Sequence, residues 1–522
     1  GQDAVAITDH GNMHAVIELH NQAKAAGIHP IMGCEFYATP FGTGYDNKDR
    51  KANHMLVLAQ NQVGYQNMLV LTKNSYEFGF YYKPRITISD LEKYSEGLIV
   101  TSGCMAAHIP TAIQDGNLAQ ADSMFKWYVD VFGDRFYTEL QVHPGIPELN
   151  DINIELVRLA QKYGSKIIMT NDSHYALASE AAVHDVLLCV QTKSTVQTEK
   201  RFRFTDNEYY LKSGQEMFDT FAPYFPEEDI QTYMRNTYEL AHSCHANPAE
   251  DTKPHIPTVK IAGMTDPDTF LREMTYAKVG NVYPDWQSRT DVTDRIEKEL
   301  KVIQETNFAA YFLIIWDICE YANKAGIGFN TRGSAAGSII NYIIGVSFVD
   351  PIGKRLMFER FLNIYRVSIP DCDLDFEDDK REQIMEYITQ TYGVDYTCQV
   401  VTFNHMKARA SVRDVGRALG IPLHTVDLIA KSIKNTPGKP INLTNSIDKT
   451  SEYYSEDFDK YVTKDEVGRD IYKYAVQLEN KTRQTGIHAA AMLIGDVPLV
   501  ERIPLMASKS AKTRYVSQLD YP

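Results

Sequence analysis

The sequence predicts a multidomain α/β protein, and three observations support this fold class. The chain has 522 residues, which is too long for one hydrophobic core and indicates three or four domains. In its first third, apolar segments of strand length alternate with helical patterns, which is typical of a parallel sheet, either open or closed into a barrel. Further along, a loop of small residues precedes an acidic segment that alternates with apolar residues, which indicates a second α/β domain with its own site.

The composition is that of an ordinary soluble globular protein, with 44% hydrophobic and 23% charged residues. No apolar segment is long enough for a membrane span, and no signal peptide is visible. The seven cysteines are scattered and form no Cys-x-x-Cys motif, which favours a reducing cytoplasm. The net charge of −15 disfavours nucleic-acid binding over the whole surface, although a local basic stripe can still contact DNA.

The first domain is predicted from a series of strands, most of which end in polar residues. The strands are expected at residues 4–8, 31–37, 54–59, 97–104, 136–141 and 166–170. In α/β folds the carboxyl ends of the strands build the active site. The polar residues at these ends, together with one that opens its strand (His54), are His10, Glu35, His54, Cys104, His143, Asp172 and His174.

These side chains are suitable ligands for Zn²⁺ or Mn²⁺. A single histidine or glutamate at a strand end is more often a structural capping residue. Seven such residues at equivalent positions are harder to explain structurally, so we interpret them as a candidate metal site.

A second candidate site begins with the loop 332–338, which leads into the apolar segment 339–344. Small residues before a helix leave backbone N–H groups free for a phosphate. About thirty residues later, Asp371, Asp373 and Asp375 alternate with less polar residues, so on a strand they share one face and can converge on metal ions. The alternatives are an ordinary Gly/Ser/Ala loop and a solvated acidic strand face.

Basic residues follow a predicted strand at 397–403. They are Lys407, Arg409, Arg413 and Arg417, and the three arginines, spaced four apart, form one stripe on a helix. The stripe is either a solvated face paired with Asp414 or a contact surface for the phosphates of duplex DNA. Helical segments and a strand at 482–494 complete this part of the chain.

Residues 332–338, 358–363 and 370–376 resemble the palm domain of bacterial DNA polymerase III alpha subunits. This resemblance implies a palm of the polymerase-beta-like nucleotidyltransferase class and a mainly helical thumb. The family normally has Gly-Pro-Gly before the Arg-Gly-Ser of this loop, whereas this chain has Phe329-Asn330-Thr331.

Residues 8–12, 33–35, 53–54 and 171–174 resemble the polymerase-and-histidinol-phosphatase (PHP) domain that precedes the palm in the same family. The resemblance implies a distorted (β/α)₇ barrel that holds a metal cluster, with the seven residues named above at ligand positions. Such a domain is either a 3′–5′ exonuclease or a structural domain. The family's opening His-x-His motif is absent, so we expect an incomplete site.

The resemblance implies four segments: a PHP domain at 1–248, the first part of the palm at 249–402, the thumb at 403–480 and the return segment of the palm at 481–522. We expect the chain to be truncated at both ends, because the third metal-binding aspartate of the palm and the fingers are not found. As a fragment, it is expected to be inactive alone.

The implied function is template-directed DNA synthesis by two-metal nucleotidyl transfer. Asp371 and Asp373 would be catalytic and hold two Mg²⁺ ions, with Asp375 in a supporting role. The implied ligands of the triphosphate are Arg332, Gly333, Ser334 and Arg360. The implied ligands of DNA are Lys407, Arg409, Arg413 and Arg417.

The implied partners are primer-template DNA, deoxynucleoside triphosphates, the sliding clamp and other replisome subunits, with no membrane. Two other functions stay open. One is a PHP-type metal-dependent phosphoesterase, and the other is a non-catalytic DNA-binding scaffold.

Overall fold

The structure is a computed structural model that describes residues 2–250, 255–365, 370, 372–436, 438–439, 441–509 and 512–520. The chain forms two compact units. The first unit comprises Gly1–Pro248, Val401–Gly486 and Asp520–Pro522, and the second comprises Ala249–Val400 and Ile487–Leu519.

The first 248 residues contain alternating strands and helices, as the sequence predicts. The strands are β1 (Ala4–Ile7), β2 (His29–Ala38), β3 (Asn53–Ala59), β4 (Arg85–Ile86), β5 (Leu98–Thr101), β6 (Phe136–Leu140) and β7 (Lys166–Met169). The helices are α1 (Val16–Ala25), α2 (Gln62–Glu77), α3 (Ile88–Lys93), α4 (His108–Gln114), α5 (Leu118–Phe132), α6 (Leu149–Tyr163), α7 (Ala181–Thr192), α8 (Gly214–Phe221) and α9 (Glu227–His242).

These strands form one sheet in the order β1-β2-β3-β5-β6-β7, with β4 paired to β2. The pairs β1–β2, β5–β6 and β6–β7 are parallel, but β3 is antiparallel to both β2 and β5. The prediction of a parallel sheet is therefore wrong for β3. The reason is local, because β2 and β3 are joined by the non-helical segment 39–52 rather than by the crossover helix that a parallel pair requires.

One apolar layer runs across the sheet and continues onto α9. Each of five strands contributes one residue, and α9 contributes Leu240. The strand residues are Ile31, Leu58, Ile99, Tyr137 and Ile168. Helix α9 also bonds to the last strand, since Asn236 donates to Ile167 O. The layer curls the sheet and leaves the polar strand ends to form a site.

The second unit begins with helices and contains a short strand pair. Its helices are α10 (Pro267–Val282), α11 (Thr290–Glu305), α12 (Ala309–Lys324), α13 (Ile339–Ile344) and α14 (Arg381–Tyr392), and the paired strands are β8 (Phe329–Arg332) and β9 (Asp373–Phe376). Ile296, Leu300 and Ile303 of α11 are buried in its core. The aromatic-rich segment 311–316 is part of helix α12.

The remaining elements are the strands β10 (Thr397–His405), β11 (Thr482–Ile494), β12 (Leu505–Ala507) and β13 (Tyr515–Asp520), and the helices α15 (Ala408–Ala418), α16 (Leu423–Ser432), α17 (Leu443–Ile447), α18 (Glu456–Lys464) and α19 (Glu466–Leu478). The strands form a sheet in the order β11-β10-β13-β12.

Helices α15–α19 share a core with α7 from the N-terminal part of the same unit. Cys189 and Val186 of α7 pack in one buried cluster with Val412, Val415 and Ile471. This cluster explains why residues 401–486 belong to the first unit. Among the helices that the structure describes, none is long and apolar enough to cross a membrane.

Candidate metal centre and candidate nucleotide site

The ends of β1, β2 and β3 bring three predicted metal ligands together. His10 and Glu35 form a parallel bridge just beyond β1, and His54 enters at the start of the antiparallel strand β3. The Nδ1 atoms of His10 and His54 lie 3.3 and 3.0 Å from the two carboxylate oxygens of Glu35. The possible ligand atoms of the three residues all lie within 4.8 Å of one another. We call these three residues the His–Glu–His cluster.

The electrostatics of this cluster favour an ionised carboxylate at Glu35. Burial opposes ionisation of Glu35, but the hydrogen bond with His54 and the charge of His10 outweigh it, and the pKa of Glu35 is lowered. Burial also lowers the pKa of His10, although Glu35 opposes that shift. A carboxylate with two imidazoles is a donor set that suits Zn²⁺ or Mn²⁺. The residues present therefore fit a divalent ion.

Cys104, which follows β5, contacts the same carboxylate. Its Sγ lies 3.5 Å from Glu35 Oε1 and 3.4 Å from His54 Nδ1. Burial, together with the charge of Glu35, raises the pKa of the Cys104 thiol well above its ordinary value. The thiol is therefore protonated at neutral pH unless a cation is bound beside it.

Asp172 and His174 follow β7 and lie at the border of the cluster. Asp172 has a left-handed backbone with φ of 47°, and its carbonyl oxygen lies 2.7 Å from His174 Nδ1. The ring centroids of His174 and His10 are 6.3 Å apart. Burial raises the pKa of Asp172, while His174 opposes that shift.

The structure does not bring His143 into the cluster. Its ring stacks on Tyr209, with 4.2 Å between centroids, and both ring nitrogens are buried without a hydrogen-bond partner among the described residues. Burial lowers the pKa of His143 to about 4, so the imidazole is neutral. These two nitrogens thus lack the hydrogen bonds that buried polar groups usually make.

Glu139 is a buried carboxylate that the sequence analysis missed. It is 3% exposed and lies in β6, where Thr101, Thr170 and Gln141 all donate to its oxygens. Burial raises its pKa, and these donors oppose the shift. The sequence signal was a glutamate in the middle of an apolar strand, a position where a charge needs hydrogen-bonding partners.

A cavity of about 720 Å³ opens beside His174. Its lining includes His184, Phe204 and Arg203. The ring centroid of His174 lies 5.8 Å from that of His184 and 4.6 Å from that of Phe204. The cavity therefore adjoins the border of the metal-ligand region on the side of β7.

In the second unit, the small-residue loop and the acidic strand lie side by side. Strand β8 pairs antiparallel with β9, with Arg332 opposite Asp373. Asp373 and Asp375 are both exposed on one face, as predicted from the alternation. Asp371 lies outside the residues that the structure describes.

The loop begins next to Asp373. Gly333 has a φ of 72°, which favours glycine, and a Cβ atom placed on it would lie 3.7 Å from Asp373 Oδ2. Ser334 follows and is half-buried. The loop thus places backbone groups beside an exposed carboxylate, which is the arrangement that a metal-bound phosphate requires.

Arg332 forms a two-point ion pair within this site. Its Nε and Nη2 atoms lie 2.5 and 2.8 Å from the two carboxylate oxygens of Asp375. The hydrogen bond and charge of Asp375 raise the pKa of Arg332. The predicted phosphate ligand is therefore held in place by the aspartate for which we predicted a supporting role.

The predicted free N–H groups at the start of α13 are already occupied. Ile339 N–H and Ile340 N–H donate to the carboxylate of Glu299 at 3.1 and 3.3 Å, and Ser338 Oγ donates to it at 2.8 Å. Glu299 is fully buried on α11. The expectation of a helix terminus open to phosphate is wrong here, because the protein supplies its own anion.

Arg295, one helical turn before Glu299, connects the same carboxylate to the back of the loop. Its Nε donates to Glu299 at 2.6 Å, and its Nη2 donates to Gly337 O at 2.8 Å and to Leu356 O at 3.2 Å. A Cβ atom on Gly337 would lie 2.8 Å from Met357 O, so only glycine fits there. The loop is therefore fixed from behind by an ion pair between the buried Glu299 and the half-buried Arg295.

Arg360, predicted to bind phosphate, is exposed in the short turn Phe358–Arg360. Its neighbour Glu359 pairs with Lys298. Among the described residues, Arg360 itself has no ion-pair partner, so its guanidinium is available to a ligand.

The predicted arginine stripe lies on α15, but its members contact the protein itself. Arg409 donates to Ile433 O at the end of α16, and Arg413 bonds to Asp427 at 2.9 Å. Arg417 lies 3.5 Å from Asp414 Oδ1 and donates to Val190 O at 3.2 Å. Lys407 is exposed and, within the described part of the chain, has no ion-pair partner. Asp414, the partner named in the solvated-face alternative, therefore pairs with Arg417.

Comparison with known proteins finds two family models that match separate parts of the chain. Residues 1–143 match the PHP domain family, and residues 269–522 match the family described as bacterial DNA polymerase III alpha NTPase domain. Proteins named DNA polymerase III subunit alpha match over 99% of this chain, with 35% identity in Borreliella burgdorferi, 34% in Treponema pallidum and 33% in Thermus aquaticus. The chain belongs to the bacterial DNA polymerase III alpha-subunit family.

The predicted family resemblance is therefore confirmed. The chain spans 44%, 43% and 46% of the length of these three relatives, which is less than half of each. Membership in this family implies a dependence on divalent metals in general. The matched regions contain the His–Glu–His cluster in one case and the loop with Asp373 in the other.

Proposed function

We propose that this chain carries the nucleotidyl-transfer site of a replicative DNA polymerase. The observation that carries this proposal is the proximity of Gly333 and Asp373, which places the small-residue loop beside an exposed carboxylate. Oxygen ligands of this kind are the ones that Mg²⁺ prefers. Asp371 and Asp373 would hold Mg²⁺, which supplies activation of the primer 3′-hydroxyl and charge neutralisation at the phosphates.

The chain's own residues would position the triphosphate. The backbone at Gly333 and the hydroxyl of Ser334 would donate to phosphate oxygens, and the exposed guanidinium of Arg360 would bind one of them. Arg332 would act beside them, held by Asp375. Because Glu299 and Arg295 fix the loop, these donors would need little reorganisation when nucleotide binds.

In this proposal the domains follow the predicted boundaries. Residues 1–248 form a PHP domain as a distorted (β/α)₇ barrel, residues 249–402 and 481–522 form the palm, and residues 403–480 form a helical thumb. The substrates are primer-template DNA and deoxynucleoside triphosphates. The sliding clamp and other replisome subunits are the proposed partners, in the cytoplasm.

The His–Glu–His cluster supports a second candidate activity, a metal-dependent phosphoesterase that cleaves DNA from its 3′ end. His10, Glu35 and His54 would hold Zn²⁺ or Mn²⁺, which supplies an activated water when bound. The other proposed ligands of this site are Cys104, His143, Asp172 and His174. The alternative is that the cluster only stabilises the domain.

Replacement of Asp373 by Asn in the full-length protein tests the polymerase proposal. We expect single-turnover nucleotide addition to slow by about three orders of magnitude, because a metal ligand in such a site contributes several kcal/mol. The matched control is Asp379→Asn, which changes an exposed carboxylate beside Lys380. Primer extension by Asp373→Asn at the rate of this control would exclude the assignment.

A further inference from the structure

A row of aromatic side chains projects into solvent just after α2. Phe78, Phe80 and Tyr82 are 54%, 59% and 58% exposed, and Tyr81 lies between them at 4.9 Å from the Tyr82 ring. Single exposed apolar residues are common, but several together indicate a surface that binds something. We call residues 78–82, together with the cations described next, the aromatic ridge.

Three cations accompany these rings. Lys48 Nζ lies 5.4 Å from the centroid of Tyr81, and the Arg50 guanidinium lies 4.4 Å from that of Tyr82. Lys83 Nζ lies 4.9 Å from the ring of Tyr37. Within the described part of the chain, none of the three cations has a carboxylate partner. The ridge is therefore positively charged, although the whole chain carries a net charge of −15.

A buried arginine holds the ridge in place. Arg85 is 1% exposed and donates to three backbone carbonyls, Gly79 O at 3.2 Å, Asp49 O at 3.0 Å and Asn47 O at 3.0 Å. It thereby ties the segment that carries Lys48 and Arg50 to the segment that carries the rings. Burying a charged side chain costs free energy of folding. Here the buried Arg85 fixes the geometry of the exposed ridge.

Two backbone features point to the same conclusion. A Cβ atom on Gly79 would lie 1.8 Å from Arg85 O, so the close approach of the two segments requires glycine. Tyr82 has a φ of 61°, which is unfavourable for an aromatic residue. Strain of this kind persists where the surrounding structure enforces it, commonly at binding sites.

The ridge adjoins the His–Glu–His cluster. The Tyr37 ring is stacked against His10 with 5.7 Å between centroids, and Lys83 Nζ lies 3.4 Å from Tyr37 Oη. One end of the ridge therefore reaches a side chain that packs directly on a candidate metal ligand. A polymer lying on the ridge would lead to the cluster.

We propose that the aromatic ridge binds single-stranded DNA and directs it to the His–Glu–His cluster. Unpaired bases would stack on Phe80 and Tyr82, while Lys48, Arg50 and Lys83 contact the phosphates. Exposed rings with cations beside them suit unstacked bases, whereas a duplex keeps its bases inside and offers only its backbone and groove edges. This proposal rests on the proposed function in one respect only, namely that the bound polymer is DNA.

The test is binding of a fluorescent oligonucleotide of about ten nucleotides, a length within the site sizes of single-strand binders, to the full chain. The double variant Phe80→Ser, Tyr82→Gly should bind at least about tenfold more weakly, since each stacked base contributes about 1–3 kcal/mol. Glycine at position 82 also relieves the unfavourable φ, so the variant should fold. The control is Tyr224→Ser, which removes an aromatic residue that is 45% exposed elsewhere in the same unit.

The cations are tested by the salt dependence of the same binding. Replacing Lys48, Arg50 and Lys83 by Gln should reduce the slope of log K against log salt by about 0.7 for each phosphate that the variant no longer neutralises. Lys24→Gln, an exposed lysine on α1, is the control and should leave the slope unchanged.

Wild-type affinity in the folded double variant would overturn the proposal, as would equal weakening of duplex and single-strand binding. The result also separates this proposal from the polymerase assignment. Asp373→Asn should slow extension by about three orders of magnitude and leave binding at the ridge intact. If Asp373→Asn loses extension and the ridge variants keep the wild-type affinity for single-stranded DNA, the ridge proposal is excluded and the polymerase proposal is retained.

Discussion

The carboxylate of Glu299 accepts the backbone N–H of Ile339 at 3.1 Å, joining positions that are 40 residues apart in sequence. Every group around this carboxylate donates to it, which suits the ionised form. Burial raises the pKa of Glu299, and Arg295 and the donors at the start of α13 oppose that shift. The helix terminus is thus closed from inside the fold, and the phosphate-facing part of the loop is left to Gly333 and Ser334.

We expect Glu299→Gln to destabilise the second unit by about 3 kcal/mol, because it removes the buried partner of the ion pair and leaves the half-buried Arg295 without its counter-ion. In the full-length protein it should also raise the KM for nucleotides more than it lowers kcat, since the loop that positions the phosphates is released. Both are measurable, by chemical unfolding and by steady-state primer extension well below the unfolding temperature.

Glu297→Gln is the matched control on the same helix. Glu297 pairs with Arg272 at the surface, with both side chains about half exposed, so its replacement should change stability by less than about 1 kcal/mol. If Glu299→Gln is destabilised but keeps the wild-type KM for nucleotides, the ion pair supports the fold without positioning the loop.

The N-terminal strands could be predicted because each is a local pattern of apolar residues ending in a polar one. The direction of β3 could not, since no residue within the strand specifies which way it runs. The shared core of α7 and α15–α19 could not be predicted either. Cys189 and Val412 are far apart in sequence, and no local pattern indicates that they pack together.

In the two candidate sites, too, local patterns could be predicted and tertiary contacts could not. Alternation correctly predicts one exposed face for Asp373 and Asp375, and strand ends correctly predict the proximity of His10 and Glu35. Glu299 was missed, although helical spacing places it on the buried face with Ile296 and Ile303. A charge on a buried face needs a partner, and that partner, the start of α13, is defined only by the tertiary fold.

Lys407 and Arg409 should respond differently to replacement by Gln. Arg409→Gln removes the bond to Ile433 O and should destabilise the first unit by about 1–2 kcal/mol. Lys407→Gln should leave stability unchanged, weaken duplex binding irrespective of sequence and reduce the salt slope by about 0.9. Thermal unfolding and titrations of duplex DNA at several salt concentrations distinguish the two effects.

Lys93→Gln, a change at an exposed lysine on α3, serves as the control for Lys407. If the salt slope of duplex binding is unchanged in Lys407→Gln, Lys407 does not contact phosphate and this end of α15 faces solvent. If Arg409→Gln binds duplex DNA more weakly but keeps wild-type stability, the arginine stripe contacts phosphates instead.

Metal binding should depend on Glu35. At a Mn²⁺ concentration about 100 times the dissociation constant, the wild-type chain should gain about 2.7 kcal/mol of stability, seen as a raised unfolding temperature. Glu35→Gln removes the shared carboxylate of the cluster and should abolish that gain. Glu18→Gln, an exposed change on α1, should retain it. Equal stabilisation of all three proteins by Mn²⁺ would place the bound ion elsewhere.

Acid should destabilise the first unit through His108, a buried histidine of α4. Its Nε2–H donates to Thr39 O at 2.9 Å, so Nδ1 is the acceptor for the hydroxyl of Tyr128 at 3.0 Å. Burial lowers its pKa from 6.5 to about 4, with the bond to Thr39 opposing the shift. The unfolded chain therefore binds a proton below pH 6.5 that the folded chain excludes until about pH 4.

The contribution of His108 is complete above pH 6.5 and is lost as the pH falls towards 4, by about 3 kcal/mol for a difference of this size. His108→Gln should be less stable than wild type at pH 7, but its free energy of unfolding should fall less steeply between pH 6.5 and 4.5, by one proton. The exposed His424→Gln should keep the wild-type slope. If His108→Gln also keeps the wild-type slope, the folded protein accommodates the charged imidazole of His108. The acid sensitivity must then come from other buried groups. Examples are His143 and His184, whose pKa values burial also lowers to about 4.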